Sequence, residues 1–414
     1  VPSEESLPHN RRPLTTVLVA NVVSITGNCL TSMGVPWFVL QSTGSAAKAG
    51  IVAFCTLLPT VLAASAGGPL IDRTGRRRVS VTSDLACGAA VLALPVLQSA
   101  GVLRFWTMCA LMAAAGLFHA PGETARDVLL PSLAEYAGVP LARAAGLYDG
   151  ASRCAGLIGS ALGGVLIGVV GAANVFLLDA VTFAASALIV LAGLRGIPEA
   201  GARPRSAPTS LRTYRRELGE GYRFVAGAPL LLGICLTTLV TRGLDQGWSA
   251  VLLPVYARDV LGGSVDLGLL EAAFGVCALT GAIVYGAVGS RFPRWPVFTV
   301  AFLIVGLPRF VVAGCTGTFS PLAVTMAVEG LACGVLNPIM ATVMYETVPE
   351  DLRARVLSAT TASYQLVTPL GALAAGCLVD SLGLPASLSA VGGVYLLATL
   401  CPVIFPVWKQ MDGA

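Results

Sequence analysis

The stretch Gly67-Gly68-Pro69-Leu70-Ile71-Asp72-Arg73-Thr74-Gly75-Arg76-Arg77-Arg78 lies between two long apolar runs, about 48–71 and 79–100. Its arginines belong in water, so it reads as a turn joining two helices that leave it for an apolar medium. Gly75 permits a tight reversal, the paired glycines let helices approach closely, and Asp72 can pair with an arginine or cap a helix N-terminus. A charge pair formed in only one of two states can latch a rocking motion.

The same alternation of apolar run and polar turn extends both ways along the chain. Of 414 residues, 55% are apolar and 12% charged, against about 25% charged in an ordinary soluble domain, which excludes a conventional soluble enzyme. A hydrocarbon core about 30 Å thick takes about 20 helical residues per crossing. The runs suggest twelve crossings, at about 14–40, 48–71, 79–100, 103–126, 142–170, 174–195, 228–256, 266–290, 296–315, 319–346, 355–379 and 385–408. The first is too long for a signal-peptide core and is expected to stay as a membrane helix. With both tails on one side, twenty Lys/Arg fall on that side, three (Lys48, Arg104, Arg258) on the other, and three (Arg153, Arg242, Arg309) within spans. By the positive-inside rule both termini are cytoplasmic. The net charge is only +4, and aromatics do not interleave with basic runs, so nucleic acid is excluded as a partner. The eleven cysteines stand singly in apolar stretches, without CxxC or a histidine at ligand spacing. Neither a disulfide framework nor a metal site is indicated.

Between spans six and seven, Pro198, Pro204 and Pro208 sit among Gly, Ala, Ser and Arg, the composition of a linker. Leu211, Tyr214, Leu218, Tyr222 and Val225 then recur at three- and four-residue steps opposite Arg212, Arg215, Arg216 and Glu217, which predicts an amphipathic helix on the cytoplasmic membrane surface. The chain divides into 1–195, a linker at 196–227, and 228–414. The two large parts repeat: at an offset of 218, Pro36, Gly50, Gly68, Arg73 and Arg76 meet Pro254, Gly268, Gly286, Arg291 and Arg294; at an offset of 208, Leu162, Gly163 and Gly168 meet Leu370, Gly371 and Gly376. A duplicated six-helix unit places a substrate site between two rocking halves.

The 67–78 stretch resembles the signature loop of the major facilitator superfamily, with Gly, Asp-Arg and Gly-Arg-Arg at the expected place. The resemblance covers essentially the whole chain and implies an all-α membrane fold of twelve transmembrane helices in two pseudo-symmetric six-helix bundles. It makes Gly68, Asp72, Arg73, Gly75, Arg76 and Arg77 a conformational latch. In the second copy Ser290 replaces the aspartate, so that latch is expected to be weak or absent. Span five, with Gly156, Gly159, Ser160, Gly163 and Gly164, is similar to the antiporter motif of drug-exporting members, though Ser160 stands in place of a proline. Its glycines are expected to pack against a neighbour from the other half. The stretches 37–45, 175–183 and 349–356 are similar to the macrolide-efflux and enterobactin-exporter branch, which exports drugs and secondary metabolites, usually driven by proton entry. Many proton antiporters carry a buried arginine within span four; here Phe105-Trp106-Thr107-Met108-Cys109-Ala110 onward has none before Arg126.

Ionisable groups inside a bilayer are expensive and usually paired or functional. Arg242 and Asp245 are three residues apart in span seven, on one helix face, and are expected to pair with each other beside Gln246. Glu271 and Glu329 are further carboxylates deep in spans, with Arg309 at a depth that suits a static pair with Glu329. Asn28, His119, Tyr364 and Gln365 complete a polar lining for coupling and substrate. Glu123, Asp149, Arg153 and Glu346, near the cytoplasmic face with Asp127, are gate candidates.

The reading is a monomeric secondary transporter of the bacterial inner membrane, in contact with its lipids. It exports an amphipathic small molecule by alternating access with proton antiport. No phosphate-binding GxxxxGK[ST] loop appears, no cofactor is implied, and with His9 and His119 the only histidines no nucleophile–base constellation indicates an enzyme. A lysophospholipid flippase of the same fold and a non-transporting membrane sensor are the alternatives.

Overall fold

The computed structural model describes residues 10–195 and 211–413; the side chains of 65–70, 72, 73, 211–215 and 290 lie outside the description. All regular structure among the described residues is helical. Six helices come first: α1 (Arg12–Thr43), α2 (Ala46–Thr74), α3 (Arg76–Ser99), α4 (Phe105–Tyr136), α5 (Leu141–Val170) and α6 (Ala172–Gly193). After α7 (Leu211–Gly227) come α8 (Pro229–Leu261), α9 (Ser264–Val288), α10 (Arg294–Cys315), α11 (Phe319–Thr347), α12 (Glu350–Leu382) and α13 (Leu384–Ile404). Ten of these are long and apolar enough to cross a membrane, and α7 with α8, bent at 109° to each other, make an eleventh when taken together as one span. The remaining long helix, α4, is interrupted in composition by Glu123, Arg126 and Asp127. Helices suit a bilayer because each satisfies its own backbone polar groups.

The chain folds into two compact units, one holding the described residues of 1–34 and 55–208, the other those of 35–54 and 209–414. Residues 35–54, which the sequence reading keeps with the first half, pack with the second. In the first unit, Leu14 and Val17 of α1, Val81 of α3, Leu129 and Leu133 of α4 and Val190 of α6 form one buried cluster. The α2–α3 reversal turns on Gly75, whose φ of 94° lies in the left-handed region that a side chain disfavours.

In the second unit small residues set the helix spacing. A Cβ on Gly330 or Gly334 of α11 would come within 2.2 Å of the Phe274 carbonyl oxygen or 2.1 Å of that of Ala278, both on α9. At Gly371 of α12 it would lie 1.8 Å from the Gly243 carbonyl oxygen of α8. Nothing flexible can yield there, so Gly371→Leu is expected to cost about 3 kcal/mol or more through overpacking, read as a lower unfolding temperature in detergent. Gly156→Leu, with open space around its Cα, is the matched control and should leave that temperature unchanged.

The amphipathic helix expected in the linker is α7, and one edge of its described part packs against protein while Tyr222 stays exposed. Val225 is buried with Leu231, Val348 and Val356. Glu220 takes a 2.7 Å bond from Arg355, and Tyr222 and Ser363 share one of 2.8 Å. The sequence shows which face is apolar; the contacts that Glu220, Tyr222 and Val225 make with α12 come from tertiary packing.

Candidate functional site

The most charged buried locus is in the second unit, where α8, α10, α11 and α13 converge on Arg309. This side chain is 4% exposed and lies 2.5 Å from Asp245 Oδ1 and 2.6 Å from Glu329 Oε1. The Tyr395 hydroxyl also donates to Asp245, at 3.1 Å. The rings of Trp248, Phe310 and Tyr395 stand 5.3, 4.8 and 5.0 Å from the guanidinium carbon, close enough for cation–π attraction to offset part of its desolvation. Trp248 opens a π-helical stretch of α8 that runs to Leu252, a local widening often found at functional positions. Asp245 is 41% exposed and Glu329 1%, so one carboxylate faces outward from the cluster and the other is sealed inside it. The angles of the Glu329 contact are not those of a hydrogen bond, and neither of its oxygens has a hydrogen-bond donor.

Asp245 therefore pairs with Arg309, not with Arg242 as the i,i+3 spacing suggests. Arg242 is exposed, whereas Arg309 is buried and needs a counter-charge far more. Gln246, Glu271 and Tyr364 are half-buried in the same unit, and Gln365 is exposed. Asn28, half-buried on α1, belongs to the first unit. So does His119, whose Nε2 lies 3.9 Å from Glu123 one turn along α4.

The first unit carries a second buried ion pair. Arg126 Nη1 reaches both oxygens of Asp84, at 2.9 and 3.0 Å. Asp84 also accepts from Ser186 at 2.7 Å, and Arg126 Nη2 donates to Ser24 at 3.3 Å. The apolar run of span four ends at Arg126, which puts that residue at the cytoplasmic boundary. Instead α4 continues to Tyr136 and carries Arg126 inside, because Asp84 of α3 neutralises it. A lone aspartate in the apolar run Val79–Val91 was the available signal. Asp179 of α6 is buried as well, accepting from Thr31 and Thr182. A Cβ on Gly27 would fall 2.4 Å from its carboxylate.

The two units thus use one device with opposite polarity. In the first the third helix bears the carboxylate and the fourth the arginine; in the second the third helix, α10, bears the arginine and the fourth, α11, the carboxylate. In the second the arginine contacts two carboxylates, Asp245 and Glu329, whereas in the first Arg126 contacts Asp84 alone and the buried Asp179 is held by threonine hydroxyls.

The latch arginines make ties within the first unit. Arg77 donates to the carbonyl oxygens of Leu191 and Leu194 at 2.6 and 3.1 Å, closing the C-terminal end of α6, and Arg76 to that of Val128 at 3.3 Å. Latch positions Gly68, Asp72 and Arg73 lie outside the described side chains. Of the gate candidates, Asp149 and Arg153 pair with each other on an exposed face of α5 at 2.9 Å, and Glu346 is held by Arg294 through both oxygens. Of the span-five glycines, a Cβ on Gly159 would meet Thr26 and Cys29, and one on Gly163 would meet Met33, all on α1 in the same unit, while Gly156 faces open space and Gly164 is buried. None of the eleven cysteines forms a disulfide, and no group of His, Cys, Asp and Glu among the described residues is arranged to hold a metal ion.

The sequence profile of the Major Facilitator Superfamily matches residues 17–284 and again 242–409. The chain belongs to that superfamily. Among curated relatives, the multidrug efflux pump Tap of Mycobacterium tuberculosis is 32% identical over 98% of this chain and 96% of its own length. Tap of Mycolicibacterium fortuitum is 33% identical over 98% of each. Macrolide efflux protein A of Streptococcus pyogenes is 22% identical over 95% and 96%. The solved nucleoside transporter NupG superposes with a TM-score of 0.75 at 13% identity over 94% of this chain and 98% of its own. A POT family transporter in complex with 5-aminolevulinic acid gives 0.71 at 11% over 95% and 96%. At those identities the likeness is one of fold. As a major facilitator protein the chain is a multi-span membrane transporter of small molecules and not an enzyme.

Proposed function

We propose that this major facilitator protein is a drug-efflux pump of the bacterial cell membrane, with both termini cytoplasmic, working by alternating access and exchanging protons for an amphipathic substrate at the Asp245–Arg309–Glu329 cluster. The efflux pumps among its relatives support the direction and the substrate class. One observation carries the coupling. A single buried guanidinium faces two carboxylates, and one of them, Asp245, is partly exposed. If both acids are ionised the cluster keeps one uncompensated negative charge, which in a low-dielectric site favours uptake of a proton or approach of a cationic group. In the proposed cycle a proton and a cationic substrate group occupy Asp245 by turns, and Arg309 pairs with Asp245 whenever that carboxylate is vacated.

The test is ethidium efflux from proteoliposomes with and without an imposed pH gradient. Asp245→Asn is expected to lower gradient-driven efflux about tenfold while leaving downhill exchange in place, a loss typical of a broken coupling free energy of 1–3 kcal/mol. Gradient dependence that survives in both Asp245→Asn and Glu329→Gln would remove this cluster from the coupling step.

A further inference from the structure

We infer that the Arg309 cluster binds an internal water molecule through Trp248 Nε1, Arg309 Nε and the Glu329 carboxylate, and that this water keeps Glu329 as the fixed counter-ion of Arg309. Its part in coupling rests on the transport reading above; the water site does not. Three side chains of the cluster carry polar atoms that no protein group among the described residues satisfies: the indole N–H of Trp248, the Nε–H of Arg309 and both oxygens of Glu329. Trp248 is 2%, Arg309 4% and Glu329 1% exposed, so bulk solvent does not reach them. A buried polar atom left unpaired costs more than an ordinary hydrogen bond contributes, and native proteins rarely gather several in one place without a partner for them.

These atoms surround one guanidinium. Its carbon stands 5.3 Å from the centre of the Trp248 ring, and Nη1 lies 2.6 Å from Glu329 Oε1. Nε is one bond from that carbon, so a molecule seated on its N–H has the indole and the carboxylate as neighbours. With hydrogen bonds of about 2.8 Å, one water joins polar atoms up to about 5.5 Å apart.

The make-up of the set names the occupant. Two of the atoms donate and two, on the ionised carboxylate, accept. An anion there would be pressed against Glu329, and a cation against Arg309 and the indole N–H. Water accepts from both donors and donates to both oxygens, a number of bonds that internal waters commonly make. Asp245, 41% exposed on the same guanidinium, gives it a way in from solvent. In the first unit Arg126 Nε is unpaired as well, but Asp84 accepts from Arg126 and Ser186, so no carboxylate there lacks donors. Once water donates to it, Glu329 is held beside Arg309 as a hydrogen-bonded carboxylate, and Asp245 is left as the acid that exchanges its partner.

Nuclear magnetic resonance of the full chain in detergent, with isotope-labelled indoles, reads the site directly. The chain has five tryptophans, and the Trp248 signal is the one missing from Trp248→Phe. In the wild type that N–H is expected to show magnetisation transfer to water, and to keep it when chloride is replaced by gluconate. A Trp248 N–H without contact to water in the folded wild type overturns the water. A signal that moves with chloride puts an anion in its place and overturns it too. For the role in coupling, benzothienylalanine at position 248 keeps the shape of the ring and removes only the N–H. The ratio of ethidium efflux with and without a pH gradient is then expected to fall about tenfold, the loss of one hydrogen bond in a charged network. An unchanged ratio overturns the role. No efflux by the wild type would instead sink the transport reading, and the resonance result would still decide the water.

Discussion

Arg309→Met is expected to destabilise the second unit by about 3–5 kcal/mol, the usual result of removing one partner of a buried ion pair, against a total stability of only about 5–15 kcal/mol. Glu329 is 1% exposed and has no hydrogen-bond donor, so without Arg309 its charge has nothing to compensate it. Methionine fills the aromatic cage formed by Trp248, Phe310 and Tyr395 without restoring that charge. The measurement is the unfolding temperature and monodisperse yield in detergent, with two double variants alongside. Arg309→Met with Glu329→Gln is expected to recover most of the loss. Arg309→Met with Asp245→Asn is expected to recover little, because Asp245 is 41% exposed and already meets solvent. An Arg309→Met protein as stable as the wild type would mean that the cluster does not depend on this guanidinium.

In the first unit, Arg126→Met is expected to cost a similar amount, about 3–5 kcal/mol. Asp84 is left buried with the Ser186 hydroxyl as its remaining donor. Here the consequence for transport should differ. Asp84 and Arg126 match one to one, so removing both, as Asp84→Asn with Arg126→Met, is expected to restore stability and keep the response to a pH gradient. The same thermal assay and gradient-driven ethidium efflux on the double variant decide it. A folded double variant that has lost its gradient dependence would assign the coupling step to the first unit.

How much of this was legible in the sequence depends on whether a feature is local. The 67–78 stretch, the helical runs and the linker helix are fixed by spacing along one chain segment, and the helices fall close to where the apolar runs put them. Asp245 shows where that kind of reading ends. Its neighbour at i−3, Arg242, has the right charge and spacing, but Arg309 arrives from another helix, and burial makes its need for a counter-charge stronger. Arg126 shows a different limit. A charged residue near the end of an apolar run marks the boundary of a span unless a partner neutralises it, and Asp84 lies 42 residues earlier on a different helix. The span-five glycines were visible as a flattened helix face; that Gly159 and Gly163 face α1 is a matter of tertiary packing.

The reversed polarity of the two buried pairs also bears on assembly. A chain whose second half repeats its first risks joining the third helix of one half to the fourth of the other while it is being built into the membrane. Such a mismatch would put Asp84 against Glu329, or Arg309 against Arg126, burying two like charges with nothing between them. Correct neighbours attract and exchanged ones repel, so the arrangement proofreads helix partnership by penalising the wrong choice.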